Sequence, residues 1–433
     1  MEIKPVKGTR DFYPEDMAVH NFILDGWKQS SLRNGFEEYE GPIFEYLQMY
    51  QIKSGDEIVD QLFNFTDRGD RKLAIRPEIT PTLARMVNQR INALSRPIKW
   101  FSSPRLCRAE RPQKGRLREF FQWNIDIIGV EDVVADAEVI FTALDYLRSA
   151  GLGSDAIKAK ISSRKLLAAV LTSFGIEKEK LDVLYPVLDK KSKISEEAFR
   201  EMLSEIISST EIIGKIIKMM NVGSPDQLGD FVELDAETQG AVDEVQRLFK
   251  LLGEMGVADY CVFDMSIVRG LAYYTGIVFE IHDAVGELRA ICGGGRYDNL
   301  LQQFGGPEIT GTGMGMGDCV LEILLRERGL LKDNMPTRQL DYFVAYTDEN
   351  LASEVVKTTA KLRTAGLGAN FSYKSNKLAK QLKQASEQNA KKTIIIGSEF
   401  IENCEFAIKD MQTGEQKLVK ADDFLKSLDN IKE

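Results

Sequence analysis

Residues 105–126 read RLCRAERPQKGRLREFFQWNID, a stretch that combines a dense positive charge with a clear strand pattern. Its first fourteen residues carry six Arg or Lys side chains and one Glu, whereas the 433-residue chain has a formal net charge of −10. Because the average field of an acidic chain repels phosphates, any anion must be met by a local basic patch. The stretch predicts such a patch.

The segment from Ile98 to Gly129 is predicted to be a long hairpin whose two strands are joined by the loop RPQKGR. Side chains alternate along the second strand, FFQWNIDII, so that each face has its own character. The two faces are Phe120, Gln122, Asn124 and Asp126 on one side and Phe121, Trp123, Ile125 and Ile127 on the other. The second face is a core, whereas Gln122 and Asp126 need partners and are predicted to meet a ligand.

In the first strand of this hairpin Arg108 and Glu110 are two residues apart and are predicted to project to the same side. Arg111, Lys114, Arg116 and Arg118 lie at or near the turn. An arginine fork on a rigid strand suits a phosphate group. The alternative is a solvated hairpin tip, which the polar face of the neighbouring strand makes less attractive.

Composition excludes several functional classes. The five cysteines form no CxxC pair and the two histidines, His20 and His282, have no zinc-ligand spacing, so no metal site, disulfide or covalent hydrolase is predicted. The N-terminus does not resemble a signal peptide, and no apolar run is long enough for a membrane span. A cytoplasmic protein without a membrane partner is expected.

The order of elements predicts an α+β fold. A helix is expected from Pro14 to Asn34 and a strand in GFEEYEGPIFEY, where Pro42 suggests an edge or an interface. Periodic Leu and Ile runs predict a helical insertion, and alternating strands and helices predict a small C-terminal α/β unit. The predicted divisions are a catalytic core at 1–160 and 257–330, a helical insertion at 161–256 and a C-terminal domain at 338–433.

Three glycine- or tyrosine-containing stretches follow the helical segment. In IVRGLAYYTGIVFE, Arg269 and Tyr273 are predicted to share a strand face, although a buried Arg facing a core carboxylate is the plainer alternative. CGGGRYD at 292–298 and GTGMGMG at 311–317 are not P-loops, because no GK[ST] follows. Alternate glycines from 311 to 317 let a flat ligand or a neighbouring element approach the backbone, and tight packing explains them equally well.

The motifs KGTRDFYPED, RPE at 76–78, RAERPQKGRLREF, RGLAYYTG and GGGRYD, in this order, resemble those of the histidyl-tRNA synthetase family of class II aminoacyl-tRNA synthetases. The resemblance covers nearly the whole chain. It implies an antiparallel sheet flanked by helices, a C-terminal anticodon-binding domain and a homodimer formed through the helix and strand that end at Pro42. It also implies that histidine reacts with ATP, accompanied by Mg²⁺, and that the histidyl group then passes to tRNA(His).

The same resemblance assigns roles residue by residue. Arg108 and Arg269 would stabilise the charge that develops on the α-phosphate, and Phe120 would stack on adenine. The remaining implied contacts are Glu78, Thr80, Gln122, Asp126, Tyr273 and Tyr274 with histidine, Glu110, Arg116 and Arg296 with ATP, and Gln113 and Lys114 with the tRNA acceptor end.

Three positions depart from the family pattern. Ala272 replaces the usual Asp, and Asp126 stands where many bacterial members have Glu. Val320 stands where class II enzymes usually place an Arg on the γ-phosphate. Arg116 or Arg296 is expected to substitute for that missing arginine.

A helix predicted at 376–388 places Leu378, Leu382 and Ala385 on one side and Lys377, Lys380 and Lys383 on the other. A solvated lysine face and an RNA contact explain this pattern equally well. The resemblance to an anticodon-binding domain favours RNA, with no DNA partner expected.

Two other functions remain open from the sequence. A non-catalytic paralogue, the regulatory subunit of ATP phosphoribosyltransferase, resembles the catalytic domain but lacks the C-terminal domain and tends to lose the reactive arginines. This chain has residues 338–433, Arg108 and Arg269, which favours the enzyme. A generic nucleotide-binding protein that does not act on tRNA is the third possibility.

Overall fold

The computed structural model describes residues 3–54, 59, 61–232, 234–268, 274–285, 288–331, 339–374 and 377–429. The chain forms two compact units. The first comprises Met1–Asp11 and Val19–Lys332, and the second comprises Phe12–Ala18 and Asp333–Glu433.

The part of the chain before residue 332 contains eleven described α-helices and twelve described strands. The helices are α1 Pro14–Arg33, α2 Leu47–Ser54, α3 Thr80–Arg90, α4 Val134–Ser149, α5 Arg164–Ser173, α6 Lys178–Leu188, α7 Glu196–Ser204, α8 Thr210–Met219, α9 Ala236–Glu254, α10 Leu300–Gln303 and α11 Asp318–Glu327. The strands are β1 Glu37–Glu38, β2 Phe44–Tyr46, β3 Asn64–Thr66, β4 Lys72–Ile75, β5 Ile98–Ser102, β6 Arg105–Cys107, β7 Glu119–Ile128, β8 Ile157–Ser163, β9 Cys261–Phe263, β10 Ile277–Asp283, β11 Cys292–Tyr297 and β12 Gly311–Gly317.

A large sheet forms the centre of the first unit, with described strands in the order β1-β5-β7-β12-β11-β10-β8-β9 and β6 attached to β7. Its central pairs are antiparallel, and only the outer pairs β1 with β5 and β8 with β9 are parallel among the described strands. The α+β prediction with a mainly antiparallel sheet is therefore confirmed.

The predicted hairpin is present, but its first strand is interrupted. Strand β5 pairs with the C-terminal half of β7, while β6 pairs with the N-terminal half through Leu106 opposite Phe120. Between them Pro104, which has no backbone N–H, accepts a hydrogen bond from the Gln122 N–H at 3.2 Å. The expected strand around Pro42 is likewise divided, into β1 and β2, and β2 belongs to a separate small sheet in the order β2-β4-β3.

The apolar face of β7 packs as the alternation predicts. Trp123, Ile125 and Ile127 are buried, and the Trp123 indole N–H donates to Ser31 Oγ of α1 at 2.8 Å. The Trp123 ring centroid lies 6.2 Å from that of Trp27 on α1 and 5.6 Å from that of Tyr146 on α4. Helices α1 and α4 therefore cover this face, which is called the packed face below, and the opposite face of the sheet remains for a ligand.

Helices α5 to α9 occupy the segment expected to be a helical insertion, from Arg164 to Glu254. Residues 161–163 still belong to β8, so the helices begin a little later than the predicted boundary. Helix α9 packs against α4, α5 and β8, and the segment falls in the same compact unit as the large sheet.

The second unit contains a sheet in the order β14-β13-β15-β16-β17, with β13 parallel to both neighbours. Its elements are β13 Leu340–Tyr346, α12 Ala352–Thr364, β14 Ala369–Phe371, α13 Leu378–Glu387, β15 Ala390–Ile396, α14 Ser398–Asn403, β16 Glu405–Asp410, β17 Gln416–Lys420 and α15 Ala421–Ser427. The predicted α/β alternation up to β15 is confirmed. Among the described residues of the whole chain, we find no helix with the length and hydropathy of a membrane span.

Candidate active site

The ligand-facing side of the large sheet is built by β7 and the glycine-rich strands next to it. The register places Gln122 opposite Gly317, Asn124 opposite Gly315 and Asp126 opposite Gly313. A Cβ atom at Gly313 would collide with the Asp126 carboxylate, and one at Gly315 would collide with the Gln122 amide. Gly313 and Gly315 therefore make room for the polar side chains of β7, so for these two glycines tight packing, one of the two explanations open from the sequence, applies.

Two adjoining cavities lie over this face, with volumes of 670 and 810 Å³. They share a set of lining residues: Arg108, Arg116, Gln122, Lys193, Glu280, Gly293 and Gly315. Their charges differ. The smaller cavity is lined by five carboxylates and three cations, and the larger by six cations and two carboxylates among the described residues. One cavity is therefore suited to a cationic ligand and the other to an anionic one.

Four of the residues predicted to contact histidine line the smaller cavity together with Gln122: Glu78, Thr80, Asp126 and Tyr274. Thr80 is the first residue of α3, and Asp126 is held in place by Tyr297, whose hydroxyl donates to Asp126 Oδ1 at 2.5 Å. Tyr297 was missed from the sequence as a site residue, although it lies in the motif GGGRYD. Its position at the end of β11, opposite Gly311, brings it to Asp126 across one intervening strand.

Arg108 lies where the two cavities meet. Its guanidinium carbon is 5.1 Å from the centre of the Phe120 ring, and its Nε donates to the backbone oxygen of Pro77 at 3.1 Å. Phe120 lines the larger cavity, beside the arginine. The geometry thus places a cation between the carboxylate-rich and the cation-rich cavities.

Arg116 also lines both cavities and forms an ion pair with Glu110. Partial burial lowers the pKa of the Arg116 guanidinium, and the nearby positive charges of Arg289 and Arg108 lower it further. Arg289 and Arg108 are therefore both close enough to Arg116 to repel its guanidinium group, and a bound anion would relieve this repulsion.

Two backbone hydrogen bonds between Gln113 and Arg116 close the tip of the hairpin. Lys114 is largely exposed and lies 3.3 Å from Glu327 of α11. Gln113 Oε1 accepts a hydrogen bond from Arg289 Nη2 at 3.3 Å. The two residues predicted to meet tRNA thus lie at the outer edge of the larger cavity.

Arg296 does not belong to this site, and its predicted contact with ATP is corrected. Its side chain is buried and bonded to Asp136 of α4, with Nη2 and Nε at 2.5 and 3.0 Å from Oδ2. The same guanidinium donates to Thr310 Oγ1 and to the backbone oxygens of Val130 and Asp132. With its donors bound on the packed face, Arg296 fastens α4 to the sheet and lines neither cavity.

Val320, at the position where an arginine was expected, lines the larger cavity with hydrocarbon. Its side chain is 8% exposed and packs near Gly115 of the hairpin tip, where an added Cβ would be 3.0 Å from Val320 Cγ2. Arg269, Ala272 and Tyr273 lie outside the described residues, so their predicted roles remain predictions.

Several polar residues of the larger cavity were missed from the sequence: Lys158, Lys160, Lys193, Glu280, His282 and Arg289. The register places Lys158 opposite His282 and Lys160 opposite Glu280, and His282 Nε2 is 2.9 Å from Glu280 Oε2. Period-two alternation in KAKIS and FEIHD could have indicated that these pairs share a face. No local signal points to Lys193, which comes from the helical segment.

The lysine face of the second unit is present on α13. Lys377, Lys380 and Lys383 are exposed, and Lys383 lies 3.7 Å from Glu387. The buried stripe differs from the prediction, because Gln381 is fully buried while Leu378 and Leu382 are half-buried. The Gln381 amide bonds both the N–H and the oxygen of Tyr346, at 3.1 and 2.7 Å, which explains how a polar side chain occupies this core.

Comparison with known proteins agrees with the division into two units. A family model described as histidyl-tRNA synthetase matches residues 8–317, and a model of an anticodon-binding domain matches residues 341–431. The chain is 37% identical over 423 residues to the chloroplastic/mitochondrial histidine–tRNA ligase of Arabidopsis thaliana, covering 98% of this chain and 86% of that protein. It is 35% identical to the histidine–tRNA ligase of Thermoplasma volcanium, covering 99% of both.

Comparison with solved structures also finds a similar fold in a histidyl-tRNA synthetase. The crystal structure of histidyl-tRNA synthetase from Nostoc sp. PCC 7120 superposes with a TM-score of 0.82, covers 99% of each chain and is 24% identical in sequence. This likeness extends over the large sheet, the helical segment and the C-terminal unit.

Proposed function

The chain belongs to the histidyl-tRNA synthetase family, and on that premise we propose that it joins histidine to the 3′ end of tRNA(His) through a histidyl-adenylate. It is an aminoacyl-tRNA synthetase, and ATP is its substrate. The observation that carries the site assignment is the pair of adjoining cavities of opposite charge, which share Arg108 at their junction.

Histidine is proposed to bind in the smaller, carboxylate-rich cavity. Glu78, Thr80 and Gln122 would hold its ammonium and backbone groups, while Asp126 and Tyr274 reach the imidazole nitrogens. The hydroxyl of Tyr297 donates to one oxygen of Asp126 and so fixes the orientation of the carboxylate. A buried carboxylate aligned in this way favours a side chain that carries N–H groups, which is the basis of discrimination against other amino acids.

The first reaction is proposed to occur at Arg108. A carboxylate oxygen of histidine attacks the α-phosphorus, the bond from the α-phosphorus to the bridging oxygen breaks, and pyrophosphate leaves. Preorganised guanidinium groups stabilise the charge that builds up on the phosphoryl oxygens. Arg108 provides one such group, Arg269 is proposed to provide another, and the Phe120 ring supplies a surface for adenine.

Mg²⁺ is proposed to enter with ATP as part of the substrate. This ion is usually held by phosphate oxygens, waters and one or two carboxylates. Of the carboxylates that line the site, Glu280, which lines both cavities, and Glu110, beside Arg116, are the two that would hold it.

The second reaction transfers the histidyl group to the terminal ribose of tRNA. We propose that Gln113 and Lys114, at the hairpin tip, meet the acceptor end. In the second unit Lys377, Lys380 and Lys383 are proposed to contact RNA phosphates, with Tyr373 available for stacking on a base. Tyr373 is 81% exposed, and its ring lies 4.9 Å from that of Phe371.

A homodimer in the cytoplasm is also proposed, with no membrane or DNA partner. Exposed apolar side chains lie on the small sheet β2-β4-β3 and on the residue that precedes it: Ile43, Phe44, Tyr46 and Phe65. The Phe44 and Phe65 rings meet edge to face at 6.2 Å and form one contiguous apolar surface. Such a patch is typical of a subunit interface.

The deciding experiment is histidine-dependent exchange of pyrophosphate into ATP, followed by charging of tRNA(His). We expect both activities, with other amino acids failing to support exchange. A regulatory subunit of ATP phosphoribosyltransferase or a generic nucleotide-binding protein would show no exchange. The regulatory-subunit alternative is not better supported, because the full-length relatives are histidine–tRNA ligases and the anticodon-binding domain is present.

A further inference from the structure

The larger cavity contains a cation that none of the assigned roles uses. Arg289, on the segment between β10 and β11, lines this cavity with Arg108 and Arg116 and donates to Gln113 at 3.3 Å. Unlike those two arginines, Arg289 lines only the larger cavity. It therefore lies on the side of Arg108 that is away from the proposed histidine cavity.

The geometry of the proposed reaction suggests which ligand group lies next to Arg289. In phosphoryl transfer the attacking and leaving oxygens are roughly in line on opposite sides of the phosphorus. If histidine attacks from the smaller cavity, the leaving pyrophosphate must extend into the larger one. There Val320 provides hydrocarbon, so the charge of the β- and γ-phosphates has to be met by another element.

We propose that Arg289 binds the β- and γ-phosphates of ATP, beside Arg116, and so holds the leaving pyrophosphate. This inference rests on the proposed function, because it takes ATP as the occupant of the larger cavity. Planar guanidinium groups form bidentate hydrogen bonds with phosphate oxygens. An anion bound between two of them also offsets the electrostatic repulsion between their positive charges. The positive charges of Arg289 and Arg108 both act on Arg116, and an anion bound beside these arginines would offset that repulsion.

An RNA phosphate is a different occupant for the same cation, since the hairpin tip is close by. The cavity favours ATP, because Arg289 shares it with Phe120, Arg108 and the glycine-lined floor. The experiment therefore measures the two ligands separately.

The test compares Arg289→Gln and Arg289→Lys with the unaltered protein in histidine-dependent pyrophosphate exchange. Removing one charge-assisted hydrogen bond should raise the KM for ATP by about 10- to 30-fold in the Gln variant. The KM for histidine should change by less than about twofold, and Lys should recover part of the affinity because it restores a point charge. Arg328→Gln, which removes an exposed arginine of the same unit, is the matched control and should leave both constants unchanged.

Calorimetric binding of ATP and AMP completes the test without requiring catalysis. The Gln variant should lose affinity for ATP and retain it for AMP, which has no β- or γ-phosphate. Equal loss for AMP, or an unchanged ATP affinity, would overturn the proposal, as would a rise confined to the KM for tRNA in charging. Absence of exchange in the unaltered protein would instead refute the proposed function, and the ATP-to-AMP comparison would still report on Arg289.

Discussion

Two arginines of the central hairpin lie over two adjacent phenylalanines of β7, on opposite faces of the same sheet. The Arg105 guanidinium is 4.7 Å from the Phe121 ring centre and pairs with Glu119 at 2.9 Å. The Arg108 guanidinium is 5.1 Å from the Phe120 ring centre and borders both cavities. Arg105 and Arg108 are three positions apart in the chain, yet the first pairs with Glu119 and the second borders both cavities.

The same contrast distinguishes Arg296 from Arg116. On the packed face Arg296 is enclosed by one carboxylate, one hydroxyl and two backbone oxygens. On the cavity face Arg116 has one carboxylate partner and two like-charged neighbours. Residue type alone does not distinguish a structural arginine from a ligand-binding one. The number of hydrogen-bond acceptors that the fold places around the guanidinium group distinguishes them.

The strongest test of this contrast is Arg296→Met. It leaves the Asp136 carboxylate buried against α4 without its partner, which should lower the free energy of unfolding by about 3–5 kcal/mol. Denaturant unfolding measures the loss. The double variant Asp136→Leu with Arg296→Met should recover much of it, since a buried ion pair can be replaced by apolar residues of similar volume. An unchanged stability together with a large loss of ATP affinity would restore the ATP role predicted from the sequence.

Arg108→Ala should lower the rate of the reaction and leave the free energy of unfolding nearly unchanged, the opposite of what is expected for Arg296→Met. Adenylate formation should slow by about 10²- to 10³-fold, as is typical when one preorganised donor to a developing negative charge is removed. Arg105→Ala, the matched control on the packed face, should slow it by less than about twofold. Pre-steady-state formation of pyrophosphate gives the rate, and Arg269→Ala is expected to resemble Arg108→Ala. If Arg105→Ala and Arg108→Ala were equally damaging, the comparison between the faces would fail.

A smaller effect is expected from the carboxylate at the end of the polar row. Asp126→Ala should raise the KM for histidine by about 10- to 100-fold, because a buried charge-assisted hydrogen bond to the imidazole is removed. Tyr297→Phe removes the hydroxyl that positions Asp126 and should raise that KM by a few-fold, with the KM for ATP unchanged. A histidine affinity that survives Asp126→Ala would assign imidazole recognition to the tyrosines.

Much of the fold was predictable from local sequence. The β7 alternation gave both faces of the sheet, and the C-terminal α/β pattern gave its elements through β15. These predictions succeed because side-chain periodicity is a property of the strand itself. The divided first strand and the split at Pro42 were missed, since a proline ends a ladder only where its missing N–H faces a partner strand.

The site was predictable only in part. Gln122, Asp126 and Arg108 follow from strand geometry, whereas Glu78, Thr80 and Tyr274 were placed by family resemblance before the fold brought them to one cavity. Arg296 was misassigned because no local pattern reveals Asp136, 160 residues away in the chain. Tyr297 and Arg289 were missed for the same reason, since their partners Asp126 and Gln113 come from other parts of the sheet.

The exposed lysines of α13 are a third kind of cation, solvated by water and neither enclosed by the protein nor facing a cavity. Changing Lys377, Lys380 and Lys383 to Gln should weaken tRNA binding and flatten its salt dependence by up to about one unit of slope for each phosphate that is no longer neutralised. Adenylate formation should be unaffected, because its proposed site lies in the first unit. The matched control changes three exposed lysines elsewhere in the same unit, Lys357, Lys361 and Lys417, and removes the same net charge.

If the two triple variants flatten the salt dependence equally, only the net charge of the unit matters and α13 presents a solvated face. Lys383 is expected to contribute least of the three, since Glu387 lies 3.7 Å from it and an exposed pair of this kind already offsets part of its charge. Restoring Lys383 alone in the Gln background should therefore recover less of the salt slope than restoring Lys380. Salt titrations of tRNA binding at several ionic strengths measure this difference, and equal recovery would show that the ion pair opens when RNA binds.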